Sequence, residues 1–190
     1  MSASQHTIAK QTAIGWAKSL FDDYDTVIID FETTGRSNAE IVQIGMIDTD
    51  GNILMDQLVQ PKKSIPAEVT DIHGITDEMV ADAPTFPEIA PVFADLIAGK
   101  LAVAYNCSYE EKILAGECKR HKMPLIEPAR WSCAMKAYAS YYGQWHKKRR
   151  SYIWQSLTKA ATQQGITVKD AHRAIGDCRM TLALIQKMSH

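Results

Sequence analysis

Three short segments of this 190-residue chain carry residue types that can do chemistry together. The first is Asp30-Phe31-Glu32-Thr33-Thr34-Gly35, at the end of a β-branched apolar run. Residues two apart on a strand project from one face, so Asp30 and Glu32 can aim two carboxylates at one point. Such a pair suits a hard, oxygen-liganded cation such as Mg²⁺ or Mn²⁺. The same acids also fit a solvated strand end that leads into a glycine turn. The second segment is His172-Arg173-Ala174-Ile175-Gly176-Asp177. On a helix that begins near Ala174, Asp177 shares a face with Ala174 and Thr181 and turns toward the packed side. His172 sits at the mouth of that helix, where an imidazole can give and take a proton. Arg173 and Asp177, four residues apart, could instead form an exposed helical ion pair worth only about 0.3–0.5 kcal/mol. The third segment is Tyr105-Asn106-Cys107-Ser108-Tyr109-Glu110. Glu110 falls in the first turn of a helix, where the dipole favours an acid whatever else it does.

These segments need a scaffold, and the hydropathy pattern supplies one. Tyr24 to Phe31 reads as a buried strand, and Ile41 to Asp48 and Ile53 to Val59 read as two more. The last two are joined through Asp50-Gly51, a dipeptide suited to a tight hairpin turn, so the three predict an antiparallel meander. Between Pro61 and Pro91 the prolines predict short helical pieces and loops. Leu101 to Tyr105 is again an apolar strand, with Ser108 placed to cap a helix over about 109–121. Helices are expected over Ala134 to Tyr142, Tyr152 to Gln164 and Ala174 to Met188. A meander followed by βα elements implies an α/β fold, a mixed sheet flanked by helices.

The formal charge of −1 conceals an asymmetry. Residues 1–100 hold 6 Lys/Arg and 16 Asp/Glu, whereas residues 101–190 hold 15 and 6, so the halves carry −10 and +9. This excludes a uniformly basic coat protein but allows a local stripe for a polyanion. Cys107, Cys118, Cys133 and Cys178 form no CxxC pair, so neither a zinc knuckle nor a redox motif is indicated, and reduced thiols point to a cytoplasmic protein. No apolar run approaches the ~20 residues that span a bilayer, so no membrane is expected as a partner. The first 21 residues lack acids and place Ala9, Ala13, Trp16, Ala17, Leu20 and Phe21 at helical spacing. A transit peptide has that look, but the segment has no Arg and runs into a strand, which favours an N-terminal helix over residues 1–22 docked on a single domain of residues 23–190.

Taken together, the three segments resemble the DEDDh (DnaQ-like) 3′-to-5′ exonucleases, the superfamily that holds the proofreading subunit of bacterial DNA polymerase III, exonuclease X and ribonuclease T. The resemblance runs from about Asp25 to Met188 and includes the connecting text Ile72-His73-Gly74-Ile75-Thr76 and Asp82-Ala83-Pro84-Thr85-Phe86. It implies a ribonuclease H-like fold. It also implies that Asp30, Glu32, Glu110 and Asp177 hold two divalent ions, Mg²⁺ with Mn²⁺ as a substitute, and that His172 acts as general base. One position departs from the pattern, since the family ordinarily has Asp where this chain has Glu110. Glutamate reaches farther by one C–C bond, about 1.5 Å, so either the helix is set back or Glu110 binds through water. Four clustered carboxylates repel one another, and at least one is expected to hold its proton more tightly than usual.

By the same resemblance, Phe31, Thr33 and Thr34 should lie under the terminal nucleotide, His73 and Ile75 should bound its base or sugar, and Asn106 should order the nearby connection. Downstream, Lys147, Lys148, Arg149 and Arg150 are flanked by Trp145 and Tyr152. Cations track phosphates and aromatics stack bases, although a charge run also suits a plain solvated loop. The implied activity is release of nucleoside 5′-monophosphates from single-stranded DNA or RNA 3′ ends, with DNA favoured, and with a protein partner in replication, repair or recombination compatible. A catalytically weak nucleic-acid-binding or scaffold subunit on the same fold is the alternative.

Overall fold

The computed structural model describes residues 3–22, 25–168 and 170–190. The first apolar run forms β1 (Thr26–Thr33); Tyr24, where the sequence places its start, lies outside the described residues. β2 (Ile41–Asp48) and β3 (Ile53–Leu58) follow antiparallel, joined by the Asp50-Gly51 turn. In that turn Asp48 Oδ1 accepts from the main chain of Asp50 (2.9 Å) and Asn52 (2.8 Å), and Gly51 takes the left-handed φ of 87° that the dipeptide favours. β4 (Leu101–Ala104) and β5 (Arg130–Cys133) complete the sheet, each parallel to its neighbour, in the order β3-β2-β1-β4-β5. The mixed ribonuclease H-like sheet expected from the sequence is present.

Helices cover both faces because the central strands are apolar on both. Ile28, Ile47 and Val103 pack with α1 (Ala3–Asp22), α6 (Ala134–Tyr142) and α8 (Ala174–Met188). Val27, Ile29, Phe31, Ile44 and Met46 point the other way, toward α4 (Phe86–Ile97) and α5 (Cys107–Arg120). Ala13, Ala17 and Leu20 of α1 are buried in the first of these cores. The stripe Ala174, Cys178, Thr181, Leu182, Ile185, Met188 on α8 is buried throughout.

Four local expectations need correction. The prolines do not break α4: Pro87 occupies its first turn, where no intrahelical N–H is needed, and the helix continues through Pro91 in its interior at the loss of one main-chain bond. The start of α5 is Cys107, with Asn106 rather than Ser108 in the capping position and no side-chain cap bond. The helix expected from Tyr152 is only α7 (Leu157–Gln163), started by the Ser156 side chain accepting from Lys159 N at 3.3 Å. The basic run is no plain loop either. It is the tip of a small hairpin of β6 (Trp145–His146) and β7 (Ser151–Tyr152), too short for hydropathy alternation to reveal. Two further short helices, α2 (Ala67–His73) and α3 (Asp77–Val80), cross the loop after β3.

Candidate active site

β1, β4 and β5 run parallel, so their carboxyl ends lie on one edge of the sheet, the usual place for a site in such folds. Asp30 and Glu32 stand at that edge on the α8 side of β1. Phe31, between them, points into the opposite core, where it lies 5.9 Å from the ring of Phe93. The first turn of α8 then delivers Asp177. Ligand-type oxygens of Asp30, Glu32 and Asp177 all lie within 4.8 Å of one another, the one such set among the described residues.

The approach of α8 depends on residues the motif reading passed over. Gly45 is paired with Asp30 across β1 and β2, and a Cβ on it would stand 2.6 Å from the main-chain carbon of Ala174. Only hydrogen fits there, so the start of α8 sits directly on the strand beside Asp30. Gln43, paired with Glu32 and buried, accepts from Ala174 N through Oε1 (3.3 Å) and donates through Nε2 to Asp56 (2.8 Å). It caps a helix whose own N-cap residue, Arg173, makes no side-chain cap bond. A lone glycine and a lone glutamine inside an otherwise apolar strand were the available sequence signals.

Glu110, on the first turn of α5, is 4% exposed, and its Oε2 has no hydrogen-bond partner. It stands outside the 4.8 Å set yet close enough to act on its members electrostatically. All four acids bind protons more tightly than usual. Burial, then the charges of Glu110, Asp177 and Glu32, pushes Asp30 well up. Burial and Asp177 push Glu32 to about 7, against the opposing pull of Arg173. Burial, with Glu32 adding repulsion, pushes Glu110 to about 8. Burial raises Asp177 too, offset by the main-chain bond and the proximity of His172. A buried carboxylate oxygen without a donor, beside three others that share the same penalty, is what a divalent cation relieves. The donor set therefore fits a hard cation.

His172 is exposed at the mouth of this cluster, in left-handed backbone at φ 62°, and its N–H donates to Asp177 Oδ1 at 3.2 Å. Arg173 and Asp177 do not form the surface ion pair that their spacing allows; Arg173 instead acts on Glu32 and His73.

The loop after β1 is tied down by its own side chains. Thr33 Oγ1, Tyr109 Oη and the Gly35 carbonyl are mutually within 2.7 Å, and Thr34 Oγ1 accepts from Glu40 N at 3.0 Å. Buried Glu117 accepts from Ile41 N (3.0 Å) and pairs with Arg120 (2.8 Å), which also reaches the Ala39 carbonyl at 2.9 Å. His73, 4% exposed at the end of α2, accepts from Ile75 N through Nδ1 at 3.0 Å. That bond assigns the ring proton to Nε2, which faces the Thr33 main chain but has no partner of hydrogen-bond geometry. Burial pushes this ring toward the neutral form. Ile75 is fully buried with Val42, Ile65 and Val80, and Asn106 is exposed before α5. Lys147 to Arg150 are exposed at the tip of the hairpin.

Against known proteins, the RNase_T exonuclease family matches residues 27–185. An uncharacterized exonuclease, CP81, of Escherichia phage 186 is 40% identical over 100% of this chain and 97% of its own length. The DNA polymerase III subunit epsilon of Treponema pallidum is 33% identical, with 91% of this chain and 80% of that protein aligned. Among solved structures, exonuclease X in complex with 5′ overhanging duplex DNA superimposes with a TM-score of 0.63 at 30% identity, over 86% of this chain and 90% of that one. A family match across most of the chain and a full-length relative at 40% identity agree with the carboxylate geometry: the chain belongs to the RNase_T exonuclease family, as an exonuclease of the DEDDh type.

Proposed function

We propose that the chain hydrolyses phosphodiester bonds from the 3′ end of single-stranded nucleic acid, DNA in preference to RNA, and releases nucleoside 5′-monophosphates. The observation that carries this reading is the meeting of Asp30, Glu32 and Asp177 within 4.8 Å, closed on one side by the unpartnered carboxylate of Glu110. These four residues would hold two Mg²⁺ ions, for which Mn²⁺ could substitute. When bound, the cations supply positive charge against the acids and the phosphate and stabilise an in-line displacement.

The chain's own residues do the rest. The His172 ring takes the proton from the attacking water; its exposed position at the mouth leaves it open to solvent, and its main-chain bond to Asp177 ties it to the cluster. His73, buried with its Nε2 toward the Thr33 main chain, bounds the pocket of the terminal nucleotide by holding that strand end in place. Thr33 and Thr34 hold the loop beneath that nucleotide rather than contacting it through free hydroxyls. The DNA preference draws on the relatives, a DNA polymerase III subunit and an exonuclease solved on DNA.

The test is digestion of matched DNA and RNA oligonucleotides carrying a label at either end, with Mg²⁺, Mn²⁺ or EDTA. A 3′ label should leave first as a mononucleotide, only with cation, and a circular single strand should survive. A ladder that begins at the 5′ end, or cleavage of the circle, would overturn the assignment.

A further inference from the structure

Away from the carboxylates, the most unusual surface is the β6–β7 hairpin. Its tip places Lys147, Lys148, Arg149 and Arg150 side by side, all exposed, and among the described residues none of them pairs with a carboxylate. Adjacent like charges repel, yet the tip is an ordered turn. Arg149 N donates to His146 Nδ1 (3.2 Å) and Arg150 N to the His146 carbonyl (2.9 Å). Below the tip, Trp145 meets Tyr152 edge-on at 5.2 Å, and Tyr152 Oη lies 3.4 Å from His6 Nδ1 on α1. The cations are therefore held ready on a fixed support.

Trp154 does not join that support. It is 61% exposed and, with His146, Arg149 and Tyr152, lines an open cleft of about 350 Å³. The root of the hairpin is fastened to the catalytic edge of the sheet. The next residue, Gln155, accepts through its carbonyl from Tyr105 Oη at 2.8 Å, and Tyr105 directly follows β4. Val103 pairs with Ile28 at the end of the parallel β1–β4 ladder, so Tyr105 and Asp30 both follow at the carboxyl-terminal edge of the sheet. An exposed indole, unpaired cations and a nearby phosphodiesterase site are complementary to one class of ligand.

We propose that this cleft is a second nucleic-acid subsite, in which Trp154 stacks a base and Lys147 to Arg150 hold phosphates of the single strand a few nucleotides from the end being cut. The proposal rests on the exonuclease reading of the carboxylate site and adds a length-dependent grip to it. Stacking tolerates any base and the cations read only backbone, so the subsite strengthens binding without sequence preference. Because its lining residues are separate from the carboxylate set, its contribution is expected to grow with the length of the substrate.

The test uses the full chain in EDTA, where nothing is hydrolysed, and follows the anisotropy of labelled oligothymidylates of 2 and 12 residues. The same proteins are then assayed with Mn²⁺ on the 12-mer and on the 4-nitrophenyl ester of thymidine 5′-monophosphate. Trp154→Ala should weaken the 12-mer roughly 5- to 150-fold and raise its KM accordingly, leave the small ester unchanged, and be rescued by Trp154→Tyr. Equal losses on short and long substrates, a wild-type protein that gains nothing from ten more nucleotides, or equal binding of poly-glutamate would overturn the subsite. If the wild type hydrolyses neither substrate while the anisotropy pattern holds, the exonuclease reading falls and the subsite stands.

Discussion

Glu110→Gln probes the charge burden of the site directly. Its carboxyl, 4% exposed, titrates at about 8 in the fold against an ordinary 4.5. Between those values the folded chain keeps a proton that the unfolded chain has lost. The contribution of Glu110 to stability in the absence of metal therefore falls as pH rises, by about 1.4 kcal/mol per unit, and levels off above about pH 8. Over the whole window the burden approaches ~5 kcal/mol, and rotation of the charged group toward water recovers part of it, leaving a net of about 2–4 kcal/mol. The amide keeps the shape, carries no charge at any pH, and can donate to the neighbouring carboxylates. Thermal unfolding in EDTA should give wild type and Glu110→Gln similar midpoints at pH 5, whereas at pH 8.5 the variant should melt roughly 5–15 °C higher. Removing the charge also relieves Asp30, on which Glu110 acts, so the difference reads the cluster rather than one side chain. Millimolar Mg²⁺ should raise the wild-type midpoint at pH 8.5 and move that of the variant much less. Parallel pH profiles for the two proteins would refute the reasoning, because the burial penalty would then not be borne at Glu110.

Other substitutions address other parts of the machinery. His172→Ala should lower kcat by roughly 10²–10⁴-fold while metal and oligonucleotide affinities hold, and full turnover would remove the general-base role. Gly45→Ala puts a methyl 2.6 Å from the Ala174 main chain, so it should cost about 1–3 kcal/mol and weaken Mn²⁺ binding by calorimetry as α8 is pushed away; an unchanged Mn²⁺ affinity would show that the close approach does not set the cluster. Replacing Lys147, Lys148, Arg149 and Arg150 by Gln should reduce the slope of log affinity against log salt by about 0.7 per charge that meets a phosphate, and an unaltered slope would make the tip a bystander.

Much of the architecture was legible because the central strands have one physical demand. Tyr24 to Phe31, Ile41 to Asp48 and Leu101 to Tyr105 are apolar on both faces, and such runs are stable only between helical layers. The boundaries of α6 and α8 match the hydropathy pattern to the residue. The hairpin over 145–152 was not legible, since two-residue strands carry no period and its order comes from Trp145 packing on Tyr152 and from the hold of His146 on the tip. β5 escaped for a similar reason: Arg130-Trp131-Ser132-Cys133 shows no clear apolar run and becomes a strand by pairing with β4.

The chemistry divides along the same line. Residue types and spacing by themselves determined that Asp30 and Glu32 share a face, that Asp177 sits on an inward helical face behind His172, and that a third acid opens the helix after β4, because strand and helix periods are local properties of the backbone. How these pieces meet is set by long-range packing. A missing Cβ at Gly45 and a buried amide at Gln43 bring α8 against β1, so that residues far apart in the chain share one pool of charge. The tertiary structure also settled the place of Glu110, buried, unpartnered and outside the tight three-carboxylate set yet acting on it. Sequence specifies which side chains can ionise, but the cost of ionising depends on what surrounds each carboxyl, and those surroundings exist only once distant segments have packed together.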